Sequence, residues 1–434
     1  MARLLFTNVK VFDGSDGPAL PGEVLVEDNL ITRVEHTVGA IEAPDAERID
    51  GKGAFLMPGL VEAHSHLSYG NVTTLEQQGD IPPEENVLNT IKAAELMLMS
   101  GFTSLYSAAS ARMRTDVVVR NAIDSGQFPG PRIRAASPEI TCTGGLGDAR
   151  LYHQDRTTFS LIADGELEMR KIIRTAWREG VDVIKLNLSG DGFVRPGNGE
   201  QTAYTEQEVA AAAQEAQLRG LWMAAHARSD SSVKLALKYG FRNIYHCDYI
   251  EGETFDLLEE KKDSIFLAPA IGMIYASVHE GSPWGLTPEV NEVIGYKKML
   301  DTCPGVYAEL QKRGLRIMPG GDYGFAWNPI GNNARDLEHF VELLGFSPTY
   351  TLMSATKWGG ECMGIDNLGM IKEGWLADVL LVDGDPLDDI RILQDRDNIV
   401  MVLKDGVIHK RDLRYFDPAA ADRGATVETA ERIA

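Results

Sequence analysis

Five short stretches of this chain have the length and apolar character of β-strands, and each closes on a residue type able to hold divalent metal. They are LMPGLVEAHSH with His64 and His66, VDVIKL with Lys185, LWMAAH with His226, NIYHCD with His246, and LRIMPGGD with Asp322. The chain has nine histidines, so the placing of four of them at such ends is a pattern rather than a scatter. A (β/α)8 barrel builds its active site at the carboxyl ends of its strands. The chemistry this spacing suggests is that of a metallohydrolase.

Residues two apart in a strand share a face, so His64 and His66 both face the barrel axis while Ser65 turns away, and one ion can take both imidazoles. Lys185 needs more argument, because an ammonium cannot bind a cation and a lone lysine after an apolar strand is usually a solvated strand end. Beside two divalent ions its pKa falls, and the neutral amine can add carbon dioxide to become a carbamate that bridges the metals. His226 and His246 close consecutive strands one βα repeat apart and supply nitrogen ligands for a second ion. Asp322, in GGDYG, would bind the first ion and accept a proton from the attacking water. Each residue alone has an ordinary reading: a satisfied core histidine, or a turn-forming aspartate beside glycine. Together they point to metal.

The elements that must position these groups are marked by punctuation along the chain. Residues 3–57 alternate short β-branched and apolar runs with Gly, Asp and Pro turns, which predicts a small antiparallel sheet. After Pro58 the pattern becomes helical stretch, glycine or polar stop, then apolar strand, as in MRKIIRTAWREGVDVIKL and VAAAAQEAQLRGLWMAAH. With the first strand at 56–66, the repeats give the eight strands that a closed barrel requires. MSATKWGGECMG reads as helical, and alternating strands return in GMIKEGWLADVLLVDG and NIVMVLKDGVIHK. The predicted fold class is α/β, a (β/α)8 TIM barrel over 58–365 with a discontinuous small β-sandwich domain from both chain ends, 1–57 plus 366–412. Residues 413–434 form a C-terminal tail.

At 434 residues the chain can hold such a barrel, which takes about 250 residues, plus the smaller domain. A net charge of −22 argues against non-specific binding to nucleic acid or anionic membrane, so the expected partner is a small-molecule substrate. Four scattered cysteines without a C-x-x-C pair fit a reducing cytoplasm. No window offers the roughly 18 uninterrupted apolar residues of a membrane span, and the amino terminus lacks a cleavable leader pattern. A soluble cytoplasmic enzyme is the expected class.

The ordered series PGLVEAHSHL, VIKLNLSGDG, AAHARS, YHCDYIE, the eighth-strand aspartate and the closing SATKWGGECMGIDNLGMIKEGWLADVLLVDGDPL resembles the amidohydrolase superfamily, in its binuclear branch with a carboxylated lysine. The resemblance spans nearly the whole chain. It implies that His64, His66, Lys185 and Asp322 hold one metal and Lys185, His226 and His246 a second, with zinc the default ion and the Lys185 carbamate formed from carbon dioxide. It also implies a homo-oligomer. Mononuclear deaminases of the superfamily lack the bridging lysine, so Lys185 speaks against deamination. The implied reaction is hydrolysis of a C–N bond in an amide, urea or carbamate, with Asp322 carrying the proton to the departing nitrogen.

Within the superfamily the chain looks most like imidazolonepropionase-related amidohydrolases, which include dipeptidases and carboxypeptidases acting on N-acyl amino acids. Those often carry a histidine in a TGGH-type loop and another beside the fifth-strand ligand, whereas this chain has Leu146 in TGGLGD and Arg228. The stretch GGDYGFAWNPIGNNARDLEHFVELLGFSP instead resembles phenylurea and thiocarbamate hydrolases. Substrate contacts are expected from loops after strands: Tyr106, His153, Arg195, Arg228, Tyr275, Trp284 and Tyr323, with 271–300 as a candidate lid and the arginines as candidate carboxylate anchors. Lactonase or phosphotriesterase chemistry and a metal-free scaffold are the other classes, which the terminal GWLADVLLV signature and the complete ligand series argue against.

Overall fold

The computed structural model describes residues 3–417 other than 155, 157 and 194–197, together with 419, 427 and 428. Strands from both chain ends meet in one nine-stranded sheet. The seam is Phe55–Pro58, which pairs in parallel with Arg3–Val11 on one edge and antiparallel with Val379–Val382 on the other. Its inward side chains are apolar from both ends of the chain, with Leu4, Phe6, Val24, Leu56, Val379, Leu381 and Met401 in one cluster. The two-layer sandwich expected from the sequence is thus, in hydrogen-bonding terms, a single sheet, because the short strand at the seam accepts a neighbour on each side.

The remaining strands run parallel with helices between them. Leu60–Ser65, Phe102–Ser107 and Arg132–Arg134 form one run. Ile140–Thr141, Val183–Asn187, Trp222–Ser229, Asn243–Tyr249 and Phe266–Ala268 form a second. A bridge between Ala136 and Val183 links the two runs. At the other margin, Met318 N–H donates to Leu267 at 2.7 Å and Ala63 N–H donates to Pro319 at 3.1 Å, so residues 316–319 lie between the last strand and the first. A side chain at Gly320 could not be tolerated there, since its Cβ would stand 2.8 Å from the His64 backbone nitrogen.

Local chemistry explains the helices. Thr205 and Glu208 close a reciprocal capping box before Glu206–Gln217, and the Ser229 hydroxyl accepts from Ser232 N–H at the start of Asp230–Lys238. Gly180 and Gly240, at φ +89° and +73°, stop the preceding helices and turn the chain into the next strand. Val183–Asn187 is buried at every position, as a parallel strand covered on both faces must be. Residues 271–300 are helical in three pieces, Ile271–His279, Ser282–Trp284 and Pro288–Ile294, before Tyr296–Lys312 begins. Among the described residues no helix is long and apolar enough to cross a membrane.

Candidate active site

His64, His66, Lys185, His226, His246 and Asp322 line one cavity. His64 is near the end of Leu60–Ser65 and His66 just past it; Lys185, His226 and His246 lie within Val183–Asn187, Trp222–Ser229 and Asn243–Tyr249 rather than at the strand ends expected, and Asp322 is in a loop. The His66 Nε2 stands 3.0 Å from the Asp322 carboxylate and the His64 Nε2 3.7 Å. The His226 and His246 rings are 4.3 Å apart, and the His64 and His246 rings 5.4 Å. Ligating atoms of His64, His246 and Asp322 lie within 4.8 Å of one another. Lys185 Nζ sits 4.7 Å over the Tyr245 ring.

Whether this set fits metal can be asked of its unmet valences. His64 Nδ1 and both ring nitrogens of His246 are buried without a hydrogen-bond partner. Buried polar atoms are almost always paired, so a cluster of unpaired imidazole nitrogens around a carboxylate is what a cation would satisfy. Other ring nitrogens are tied back to the protein. His66 Nδ1 lies 3.2 Å from the Ala109 carbonyl and His226 Nε2 3.0 Å from the Gly190 carbonyl. A carbonyl only accepts, so these nitrogens carry the proton and the opposite one is left with its lone pair. The residues present fit divalent metal.

Backbone strain concentrates at the same place. His246 and Asp322 have φ of +78° and +59°, and Cys247 follows at +55°. Such conformations cost a non-glycine residue on the order of 1–3 kcal/mol each, and persist only where neighbours hold them. Tyr307 donates to the His246 carbonyl at 3.0 Å, and the Asn328 amide donates to the Gly321 and Asp322 carbonyls at 2.9 and 3.2 Å.

Electrostatics suit ligation. Burial holds the imidazoles of His64 and His246 well below their usual range and takes that of His226 down to about 3, with Arg228 adding to the effect. Neutral imidazole is the metal-binding form. Burial opposes ionisation of Asp322, but His64, His66 and Lys185 overcome it and hold the carboxyl below its ordinary value. Burial likewise lowers Lys185, although Glu139 and Asp322 favour its charged form.

Arg228 lines the cavity, but its charge is already engaged. Its Nε donates to Asp191 at 2.8 Å, and its Nη1 contacts Asp248, both partners being buried. Tyr296 adds a hydrogen bond to Asp191 at 2.7 Å. The guanidinium is held as an internal clamp rather than offered to a substrate carboxylate. The other expected contact residues lie elsewhere. Tyr106 is buried and stacked on Trp222 at 6.2 Å, and Tyr323 is buried with its hydroxyl close to where a Cβ on Gly272 would sit. Tyr275 packs on His279 and His339, while His153 and Trp284 are exposed. None of these five lines the cavity, and Arg195 lies outside the described residues.

The walls come instead from Tyr69, Glu139, Leu146, Phe159, Phe193 and Phe325, with Met273 from the segment expected as a lid. Tyr69 stacks on His66 at 4.1 Å and meets Phe159 and Phe325 edge-on at 5.8 and 6.0 Å. Its position three residues after a candidate ligand was the one available signal, since Tyr69 follows directly in AHSHLSY.

The sequence profile of the amidohydrolase family matches residues 55–408. Ochratoxinase of Aspergillus niger is 25% identical over 377 residues, 82% of this chain and 75% of its own length. Among solved structures, an amidohydrolase superposes with a TM-score of 0.84 at 28% identity, covering 95% of this chain and 100% of its own. A Xaa-Pro dipeptidase with methionine bound in its active site gives 0.81 at 25%, covering 94% and 99%. Family match, fold likeness and the histidine and aspartate cluster converge: this chain belongs to the amidohydrolase family.

Proposed function

We propose that this protein is a metal-dependent hydrolase that cleaves a C–N bond in a small amide, urea or carbamate. The observation that carries the reading is the convergence of six sequence-distant groups on one cavity, with imidazole nitrogens left unpaired around Asp322. His64, His66, Lys185 and Asp322 would hold one divalent ion, and Lys185, His226 and His246 a second. Zinc suits this nitrogen and oxygen set. Ions bound there supply Lewis acidity, acidifying water and polarising a carbonyl.

The chain's own groups then do the following. The Lys185 amine, whose protonated form burial disfavours, would lose a proton, add carbon dioxide and release a second proton to give a carbamate whose oxygens could serve as ligands. Asp322 accepts the proton of the attacking water and returns it to the departing nitrogen. Phe159, Phe193 and Phe325 exclude bulk water and receive an apolar part of the substrate. The hydrogen bonds that tie residues 316–319 to both flanking strands support closure of the eight strands into a barrel, which would hold all six groups in register.

With Arg228 engaged by Asp191 and Asp248, the geometry favours substrates that need no carboxylate anchor from it. The likeness to a Xaa-Pro dipeptidase supports peptide-like amides as a second reading. The test is amine release by zinc-reconstituted protein from a neutral N-aryl amide or urea and from an N-acyl amino acid carrying the same amine. Release from either, abolished by chelation and restored by metal, is the expected result. Protein carrying two ions per chain that cleaves only esters or lactones would overturn the C–N assignment, and ammonia release with one ion per chain would make it a deaminase.

A further inference from the structure

Tyr245 does not line the cavity, yet it packs against two of the candidate ligands. Its side chain is fully buried, and its hydroxyl donates to the Ala63 carbonyl at 3.1 Å. The ring stacks on the His64 imidazole, with centroids 3.9 Å apart and planes 21° from parallel. Lys185 Nζ stands 4.7 Å from the same ring centroid. Tyr245 itself precedes His246 on Asn243–Tyr249. One ring thus meets candidate ligands from Leu60–Ser65 and Val183–Asn187 while it is carried on the strand of a third.

A ligating imidazole must be turned so that its lone pair meets the ion, and the usual device is a hydrogen bond from the other ring nitrogen. His66 and His226 have one, to the carbonyls of Ala109 and Gly190. His64 has none among the described residues: its Nδ1 is without a partner, and its Nε2 faces the carboxylate of Asp322, itself a candidate ligand, at 3.7 Å. An ion takes a single nitrogen of a ring, so filling the site does not supply the second bond. The neighbouring rings of His66 and His246 approach only at 5.1 and 5.4 Å, tilted and edge-on. The one face laid flat against His64 is that of Tyr245, pinned through its hydroxyl to the residue just before His64. Stacked rings in close contact resist tilting, because a tilt opens the contact on one side and overcrowds it on the other. We infer that Tyr245 is a positioning residue for the candidate metal centre, holding the His64 imidazole in its ligating plane by stacking in place of a hydrogen bond. The inference rests on the metal-dependent reading given above.

The test is the zinc affinity of the full chain, measured by competition against a chelator of known affinity. Tyr245→Leu removes the ring face and is expected to weaken zinc binding at least about tenfold. Tyr245→Phe keeps the ring and loses only the hydroxyl, and is expected to stay within about threefold of the wild type. Phe266 is a control for packing, since it is buried in the same apolar cluster but lies against Arg242 and Arg316. Phe266→Leu should lose thermal stability as a core truncation does while keeping zinc affinity within about threefold. Thermal unfolding of the metal-free proteins establishes that each is folded; Tyr245→Met, which fills more of the space without a ring face, takes the place of a leucine variant that does not fold. With cobalt in place of zinc, a visible absorption spectrum altered in Tyr245→Leu and restored in Tyr245→Phe is the accompanying signature. Undiminished zinc affinity in Tyr245→Leu overturns the positioning role, as does equal weakening in Tyr245→Phe or in Phe266→Leu. Wild-type protein that takes up neither zinc nor cobalt overturns the metal-dependent reading and the positioning role with it, whereas wild-type uptake matched by Tyr245→Leu overturns the positioning role alone.

Discussion

Among single residues, those that close apolar runs were readable because the spacing of such runs is carried by the chain itself, although Lys185, His226 and His246 fall within their strands and Asp322 in a loop. His64, His66, Lys185, His226, His246 and Asp322 could be named before any fold was known, and the structure brings them to one cavity. Arg228 was readable as a cavity residue but not as a clamp. Asp191 and Asp248 stand 37 and 20 positions from it, and only the packing of adjacent strand ends makes them partners. Two predictions belong here. Asp322→Asn keeps an oxygen ligand but removes the proton acceptor, so kcat is expected to fall by roughly 10²–10⁴-fold with metal content retained. Full activity in a metal-replete variant would end the proton-transfer role. Arg228→Met leaves two carboxylates facing each other in a buried site, and urea unfolding is expected to show a loss of about 3–5 kcal/mol. A loss under 1 kcal/mol would mean that water replaces the guanidinium.

Helices and strands were legible from glycine stops, caps and apolar runs; the loops that finish the cavity were not. Phe159, Phe193 and Phe325 sit in segments with no periodicity, and nothing in their neighbours announces which way each ring turns. Tyr275 and Trp284 illustrate the opposite error, aromatic residues in a plausible segment that face His339 or solvent. The loop after residues 316–319 shows how an element holds a strained candidate ligand. Asp336 accepts from Gly320 N–H at 2.8 Å and Asn328 donates to the Gly321 and Asp322 carbonyls, fixing Asp322 at its left-handed φ. Removing Asn328 leaves those carbonyls without that donor and frees the turn to relax. Asn328→Ala is therefore expected to weaken metal binding by about 10–100-fold while lowering global stability by only about 1 kcal/mol. Competition against a chelator of known affinity measures the first, and thermal unfolding of metal-free protein the second. Unchanged metal affinity would show that the strain is held by Asp336 alone.

For the molecule as a whole, the two-part architecture was legible because composition changes from alternating strands to helix and strand repeats and back. The fusion of both chain ends into one sheet was not, since it depends on which edges of Phe55–Pro58 find neighbours. Long-range charge is the other property that emerges only at this scale. A net charge of −22 strains the folded state near neutrality, so local devices must gather carboxylates and arginines to offset it. Glu215 is the clearest, its side chain 2% exposed between two helices and held by Arg174, Arg170 and Arg219. Hydrogen bonding from Arg174 leads in pulling its carboxyl from the ordinary 4.5 down to about 2, against the opposing effect of burial. A carboxyl whose folded pKa is depressed stabilises the fold above its unfolded value and loses that contribution as pH falls through the folded one. The stabilisation by Glu215 is therefore complete above about pH 4.5 and disappears between there and pH 2. Glu215→Gln never has it. Urea unfolding of both proteins across pH 7 to 2.5 should show the variant less stable near neutrality, with the gap closing only below pH 4.5 as the wild-type carboxylate takes up its proton. A gap that stays constant over that range would mean that the arginines contribute packing of their stems rather than charge.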